Sequence, residues 1–507
     1  MFVRLRVKLC CMAATQFVGV DLGTTGARAV RIDRAGGIVA SATASYPLLV
    51  PQSGWTEQEP TDWWDAVVAT LRTVAGHDPE QIGALGLTGQ MHGAVFLDRD
   101  GTSIRPAILW NDQRTARAAH DVEVRVGSER LRNITGNRAL TGFQAPKILW
   151  LRDQEPAHYE CIAAVLLPKD YIRYRLTQSF GSDASDASGT LLFDLAKRDW
   201  SEEILAALDL PRAWFPAIAE SPTVTGNVSA SAARETGLPT GLRVVAGAGD
   251  NAAAAVGSGV VRRGNGVISL GTSGVVLAHD DVAHVDPSGA IHAFCAAVPG
   301  AYHLMGVMLA AGGSLRWYRD SFAAGASYDA LTAEAARIAP GAEGITFLPY
   351  LSGERTPHMN PDARGAIVGL RLMHGRPHVT RAVLEGVAFG LADAALRMRA
   401  LGVDPPEFIA TGNGMSSDLW RTIVGAAIGR PLRRLLVDEG PAFGAALLAG
   451  VGAGAYASVE NAADTVVRLA PEADVPAQEL VASYRERYDA FTHLYPALHE
   501  PAPAAAV

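Results

Sequence analysis

Two short loops of nearly the same sequence, about half a chain apart, constrain this protein more than any other feature. The first is Val20-Asp21-Leu22-Gly23-Thr24-Thr25-Gly26, and the second is Ser269-Leu270-Gly271-Thr272-Ser273-Gly274. Each follows one strand-like run, Gln16 to Val20 or Gly266-Val267-Ile268, and precedes another, Ala27 to Asp33 or Val275-Val276-Leu277. Two strands joined by such a turn make a hairpin. Glycines leave backbone N–H groups open to a close ligand, and small hydroxyls add donors, so the loop suits polyphosphate. One copy alone reads better as an ordinary Gly-rich turn. Two copies predict two related domains facing one nucleotide. Ser269 stands where Asp21 stands, so the strand-end carboxylate, placed to face Mg²⁺ or a transferred phosphoryl group, is not duplicated.

A chain of 507 residues divides into more than one domain, because single cores stop growing at roughly 250–300 residues. Lys+Arg 44 against Asp+Glu 52 gives a net charge of −8. With no basic block, nucleic acid and anionic membrane are poor partners, and a bound polyanion must be held by local donors. The four cysteines, Cys10, Cys11, Cys161 and Cys295, form no CxxC pair and no zinc spacing. They point to a reducing compartment and a cytoplasmic protein. Residues 1–14 read as a disordered extension with Met12 as an alternative start, and no stretch is long and apolar enough to cross a bilayer.

Ile38 to Leu48 reads as a third strand after the first hairpin. Three antiparallel strands at the start fit an α/β layer fold better than a dinucleotide fold, which goes straight from strand to helix. Pro60-Thr61-Asp62-Trp63-Trp64 starts a helix running to about Ala75, with Thr61 as cap and the Trp pair in the core. The strand Gly83 to Thr88 ends at Gly89-Gln90-Met91-His92-Gly93, a place where polar side chains commonly meet substrate. There Gln90 and His92 can bond hydroxyls and Met91 can pack against carbons. Trp110 follows a buried strand and offers a flat face to a sugar. Residues 115–235 read as helical with interruptions, and the hydroxyl-rich Ser182 to Thr190 as a solvated connection. A second domain is expected from about Arg243. Asp250, with Asn251 beside it, lies at a strand-to-helix junction, where it is either a helix cap or a general base for a sugar hydroxyl. Phe347 to Leu351 reads as a strand and Val379 to Leu401 as a long core helix. Phe408 to Thr411 is a strand, Gly412-Asn413-Gly414 a turn that lets an adenosine approach, and Ser416-Ser417-Asp418 a helix start. Pro501 to Val507 reads as a disordered tail.

Gln-Met-His-Gly-Ala at 90–94, Arg-Pro-Ala-Ile-Leu-Trp-Asn-Asp at 105–112 and Gly-Asp-Asn-Ala-Ala at 249–253 stand between or beside the two loops, and Leu-Ser-Gly-Glu-Arg-Thr-Pro-His at 351–358 follows. This order, with Gly365 to Leu370 and His378 to Glu385 behind it, resembles the FGGY family of carbohydrate kinases from about residue 16 to about residue 450. The resemblance implies an α/β fold of two actin-like, ribonuclease-H-type domains with a nucleotide cleft between them. The domains expected are 15–242 on the sugar side and 243–455 on the nucleotide side, then a helical segment and tail over 456–507. The resemblance further implies ATP with Mg²⁺ and transfer of the γ-phosphoryl group to a terminal hydroxyl. Gln90 to Ala94 and Leu167-Pro168-Lys169-Asp170-Tyr171 are most similar to members that phosphorylate D-xylulose. Ribulose, glycerol or another polyol are the alternative acceptors, and relatives are commonly homodimers. A non-enzymatic switch of the actin or chaperone type shares the two-loop logic, but no peptide-binding region is visible after residue 450.

Carried over by position, Asp250 is the proton acceptor and Asp21 the metal- or phosphate-side carboxylate. Met91, His92, Gln90, Trp110 and Asn251 surround the sugar. Thr24, Thr25, Gly271 and Thr272 cradle phosphates, with Arg28 after the first loop. Gly412, Asn413, Gly414 and Ser417 lie near the adenosine. Relatives usually show Gly-Gly-Gly-Ala-Arg/Lys-Ser there, whereas this chain has Gly412-Asn413-Gly414-Met415-Ser416-Ser417. Asn tolerates left-handed backbone, so the turn is expected to survive at Asn413.

Overall fold

The computed structural model describes residues 15–499, so the extension read over 1–14 and the tail read over 501–507 lie outside the described residues. Both Gly-Thr loops close the hairpins expected of them. In the first half, β1 (Gln16–Leu22), β2 (Gly26–Asp33) and β3 (Ile38–Ser45) run antiparallel. The helix α1 (Pro60–Ala75) then leads to β4 (Ile82–Gly89), which pairs parallel to β1. β5 (Val224–Asn227) and β6 (Arg243–Val245) complete a sheet of order β5-β6-β4-β1-β2-β3, with the short strand Ala248–Gly249 also on β4.

After α2 (Asp250–Gly257), the second sheet repeats the plan. β7 (Gly266–Leu270), β8 (Gly274–Asp280), β9 (His292–Cys295) and β10 (Tyr302–Met308) come first. α3 (Arg376–Ala400), β11 (Phe408–Thr411), α4 (Asp418–Ile428), β12 (Leu432–Arg434) and α5 (Gly440–Gly452) follow. The order is β9-β10-β8-β7-β11-β12. Thus β3-β2-β1-β4-β6 and β10-β8-β7-β11-β12 share one sequence of pairings, antiparallel twice and then parallel twice. The loop duplication marks a duplicated sheet.

Four expectations need correction. β6 does not open the second domain at Arg243: it pairs parallel to β4, with Arg243 opposite Ala84 and Val244 opposite Leu85. The boundary therefore moves from 242/243 to the connection between α2 and β7. A short apolar run shows that a strand is present but not which sheet receives it. Thr61 is not the cap of α1: Glu59 holds that position without a side-chain bond, and Pro60 opens the helix, where its missing N–H coincides with a donor the helix leaves unpaired. Residues 182–190 are not solvated, because Ser182, Asp183, Ser185, Asp186, Ser188 and Thr190 are all buried. Finally, Phe347 to Leu351 contributes only the strand Thr346–Leu348. The Trp pair does belong to the core, with Trp63 Nε1 donating to Gln58 Oε1 at 3.0 Å. The long helix α3 is buried along most of its length, as its apolar spacing predicts.

The two halves interlock through α5. It leaves the second sheet, lies on β1 and β4 of the first, and crosses α2. The approach depends on missing side chains: a Cβ on Gly86 would sit 2.1 Å from Ala445 O, and one on Gly444 1.8 Å from Ala253 O. Each clash is with backbone, so neither can be relieved by a rotamer change. Gly444→Leu is expected to cost about 3 kcal/mol or more of stability, the upper range of overpacking. A thermal-denaturation midpoint equal to wild type would refute this account of the crossing. The last described helices are Val459–Val466, Gln478–Thr492 and Leu494–His499. Tyr484 anchors that segment to α3 by donating to Glu385 Oε1 at 2.8 Å. Among the described residues no helix is long and apolar enough to cross a membrane.

Candidate active site

Asp250 is the first residue of α2, and Gly249 holds the cap position. The capping alternative is thereby removed. Asp250 Oδ1 accepts from the backbone N–H of Asn251 at 2.7 Å and from its Nδ2 at 2.9 Å. Asn251 thus fixes the carboxylate in orientation. Burial pushes Asp250 up to about 6, while the two Asn251 donors pull it back. Asp21, near the end of β1, rises to about 7, through burial first and the Asp250 carboxylate second, with Arg28 opposing. Asp21 Oδ1 is buried and has no hydrogen-bond partner among the described residues.

An orphaned carboxylate oxygen beside a second acid fits a bound divalent cation. Among the described residues no group of three or more His, Cys, Asp or Glu could hold a metal. Such an ion would rest on Asp21 and take its remaining ligands from phosphate and water, the usual habit of Mg²⁺. When bound, it would neutralise charge on the phosphate oxygens.

Two cavities meet at the second Gly-Thr loop. The larger, 740 Å³, is lined by Gly271, Thr272, Asn413, Gly414, Ser416 and Ser417, among others. The smaller, 410 Å³, is lined by Met91, His92, Trp110, Asp250 and Asn251, with Ser269 and Ser273 from the same loop. One loop therefore faces both spaces, and the half-buried Asp250 stands in the smaller one. The loop is braced by the start of the helix Gly312–Phe322, where Gly312 N–H donates to Gly271 O at 2.8 Å.

Other site expectations resolve differently. Gln90 is not a wall of either cavity: its Nε2 donates to Gln58 Oε1 at 3.0 Å, so its amide braces the core. Thr24 accepts from Trp110 Nε1 at 3.0 Å, and Arg28 pairs with Glu439. Thr24, exposed Thr25 and Arg28 line neither cavity. The left-handed residue of the 412–414 turn is Gly412 (φ 83°), not Asn413, which opens the short 3₁₀ helix Asn413–Ser416. Gly412 itself lines the smaller cavity. Met415 turns into the core, so its bulk stays out of the larger cavity. Ser417 caps α4 by accepting from Trp420 N–H at 3.3 Å.

His92 occupies a strained backbone position (φ 68°), of the kind that clusters at functional sites. Its Nδ1 lies 2.6 Å from Gly189 O. Nδ1 must carry the proton in that bond, which leaves Nε2 an acceptor. Burial, and Arg355 after it, holds the imidazole well below its ordinary range, so the ring is neutral. Gly189 belongs to the buried 182–190 segment, which braces both ends of the smaller cavity. Ser185 Oγ accepts from Gly249 N–H at 3.2 Å and donates to Asp183. Lys169 Nζ pairs with Asp183 at 2.8 Å. Neither Arg316, a wall of the larger cavity, nor Arg355, a wall of the smaller, is among the site residues expected from the sequence. Arg316 sits on a helix with no motif around it. Arg355 lies inside the quoted 351–358 motif, which was the available signal.

This chain belongs to the FGGY family of carbohydrate kinases: residues 16–257 match the family's N-terminal domain and 266–453 its C-terminal domain. It is a sugar kinase, and the matched ranges part where the sheets do. A xylulose kinase of Escherichia coli (strain K12) is 41% identical over 94% of this chain and 98% of its own length. The crystal structure of xylulose kinase from Rhodospirillum rubrum superposes with a TM-score of 0.89 at 33% identity, covering 96% of this chain and 99% of that one. A glycerol kinase of Alkalilimnicola ehrlichii is 33% identical over 85% of this chain and 89% of its own length.

Proposed function

We propose that this protein transfers the γ-phosphoryl group of Mg-ATP to the terminal hydroxyl of D-xylulose, giving D-xylulose 5-phosphate, with Asp250 as the proton acceptor. The observation that carries this reading is the loop 269–273 shared by two cavities, with half-buried Asp250 lining the smaller. ATP is assigned to the larger cavity, with its adenosine near Asn413 to Ser417 and its phosphates on Gly271 and Thr272. The acceptor is assigned to the smaller, among Met91, His92 and Trp110. Asn251 keeps the Asp250 carboxylate turned for proton abstraction, and the apolar walls exclude water that would compete as acceptor. Mg²⁺ is assigned to Asp21. The ketopentose is favoured over glycerol because the xylulose kinase relatives match at higher identity and over more of the chain. Free Cys161 and Cys295 and the use of ATP suit the cytoplasm.

ADP release from Mg-ATP is the test, with D-xylulose, D-ribulose, L-ribulose, glycerol and no acceptor. Release is expected to be strongest with D-xylulose. Stronger release with glycerol or a ribulose would keep the kinase and reassign the acceptor. Release indifferent to every acceptor would refute the sugar-kinase chemistry.

A further inference from the structure

Arg355 is half-buried, yet its guanidinium has no acceptor and no ion-pair partner among the described residues. Its own backbone N–H donates to Glu354 Oε1 at 2.7 Å, and that carboxylate also takes Leu309 N–H at 3.0 Å. The neighbouring acid is thus turned toward backbone rather than toward the guanidinium. Burial lowers Arg355 to about 10, which still leaves it a cation at neutral pH. A desolvated cation without an acceptor is costly unless a ligand supplies one.

The position of the side chain says which ligand. Arg355 comes from the second half of the chain and reaches into the first, with its Cζ 5.7 Å from the centroid of the Trp110 ring. Gly142 makes room for it, since a Cβ there would sit 2.8 Å from Arg355 Nη2. Arg355 and Trp110 line the acceptor cavity and also a neighbouring 580 Å³ cavity, so they form the partition between them. No residue of either Gly-Thr loop lines that neighbouring cavity. Arg355 therefore closes the acceptor cavity on the side away from the phosphates. His92, whose Nε2 is an acceptor, lines the same cavity.

A guanidinium only donates, and a neutral imidazole nitrogen without hydrogen only accepts. Lining one cavity, they match a carbonyl oxygen next to a hydroxyl. We propose that Arg355 is a specificity-determining residue that receives the carbonyl oxygen of an α-hydroxyketone acceptor, whose adjacent hydroxyl donates to His92 Nε2. This rests on the acceptor and transfer geometry proposed above. In a 2-ketopentose with its 5-hydroxyl at Asp250, the carbonyl carbon lies three bonds further along the chain, toward the partition. A polyol's alcohol oxygen at that carbon can also accept, but it is tetrahedral rather than planar and carries a hydrogen that must find another partner, so it gains less.

The test compares wild type with Arg355→Met and Arg355→Lys. It reads kcat/KM for D-xylulose and xylitol, KM for ATP, and ADP release without acceptor. Arg355→Met is expected to lose about ten- to hundredfold in kcat/KM for D-xylulose, the range for hydrogen bonds to charged groups. Xylitol turnover, KM for ATP and acceptor-free release are expected to change less than about threefold, within the scatter of such contributions. Arg355→Lys is expected to recover part of the loss, because it restores a charged donor without the fork. Equal losses for both acceptors, or a raised KM for ATP, would show a merely structural role and overturn the proposal. An unchanged D-xylulose value would overturn it as well. Wild type that ignores D-xylulose would instead overturn the function on which the proposal rests.

Discussion

Asp250→Asn is expected to lower kcat for D-xylulose-dependent ADP release by roughly 10³-fold, within the range for loss of a general base. The substitution keeps the size of the side chain and its place at the start of α2, so the fold should persist. KM for ATP should change little, because Asp250 faces the smaller cavity and not the larger. The pH profile gives a second readout. Asp250 lies near pH 6 because burial disfavours its charge and Asn251 only partly offsets this. Proton acceptance requires the ionised form, so wild-type kcat/KM should fall as pH drops below about 6. The residual activity of Asp250→Asn should lack that limb. Steady-state kinetics from pH 5 to 9 decide the matter, and turnover near the wild-type level would remove Asp250 from the mechanism.

Asp21→Asn is expected to abolish turnover while making the metal-free protein more stable at alkaline pH. Asp21 lies near 7 when folded against an ordinary value of 3.8. A raised carboxylate binds more protons in the folded state than in the unfolded one between those two values. Stability is therefore lost as pH rises from about 4 to about 7, and the full cost persists above that. Asn carries no such cost. An effect on the order of 2–4 kcal/mol at pH 8.5 corresponds to several degrees in the unfolding midpoint. The gain should shrink toward pH 4, where the folded carboxyl is protonated and the unfolded one is close to its midpoint. Midpoints at pH 5 and 8.5, measured in chelator, test the linkage. Calorimetric titration with D-xylulose should show retained sugar binding. A lower midpoint at pH 8.5 would refute the linkage, and lost sugar binding would count against a phosphate-side role.

Local chemistry made much of the plan legible. The Gly-Thr repeat predicted two related hairpins because a tight turn between strands is written into five or six adjacent residues. Gly-Asp-Asn marked a strand-to-helix junction for the same reason. Long-range partners left no comparable trace. Gln90 looked like a ligand group from its strand-end position, yet Gln58, 32 residues earlier, takes its amide. Residues 182–190 looked solvated because Ser and Asp usually are. The fold buries them around Lys169, whose ammonium pairs with Asp170 and Asp183 while Ser182 donates to Asp170. Val244-Val245 read as a strand, but its partner was decided by the free edge of β4.

By itself, then, the sequence determined two phosphate-type loops on duplicated hairpins, the acid at the start of α2, and the family. These are encoded by short runs whose turn geometry and donor placement need no distant partner. Only the tertiary structure decided that one loop serves two cavities, that α5 locks the halves together through Gly86 and Gly444, and that Arg355 crosses from one half to the other. Each of these depends on which backbone comes within a few ångströms of which, and that distance is set by packing between segments far apart in the chain.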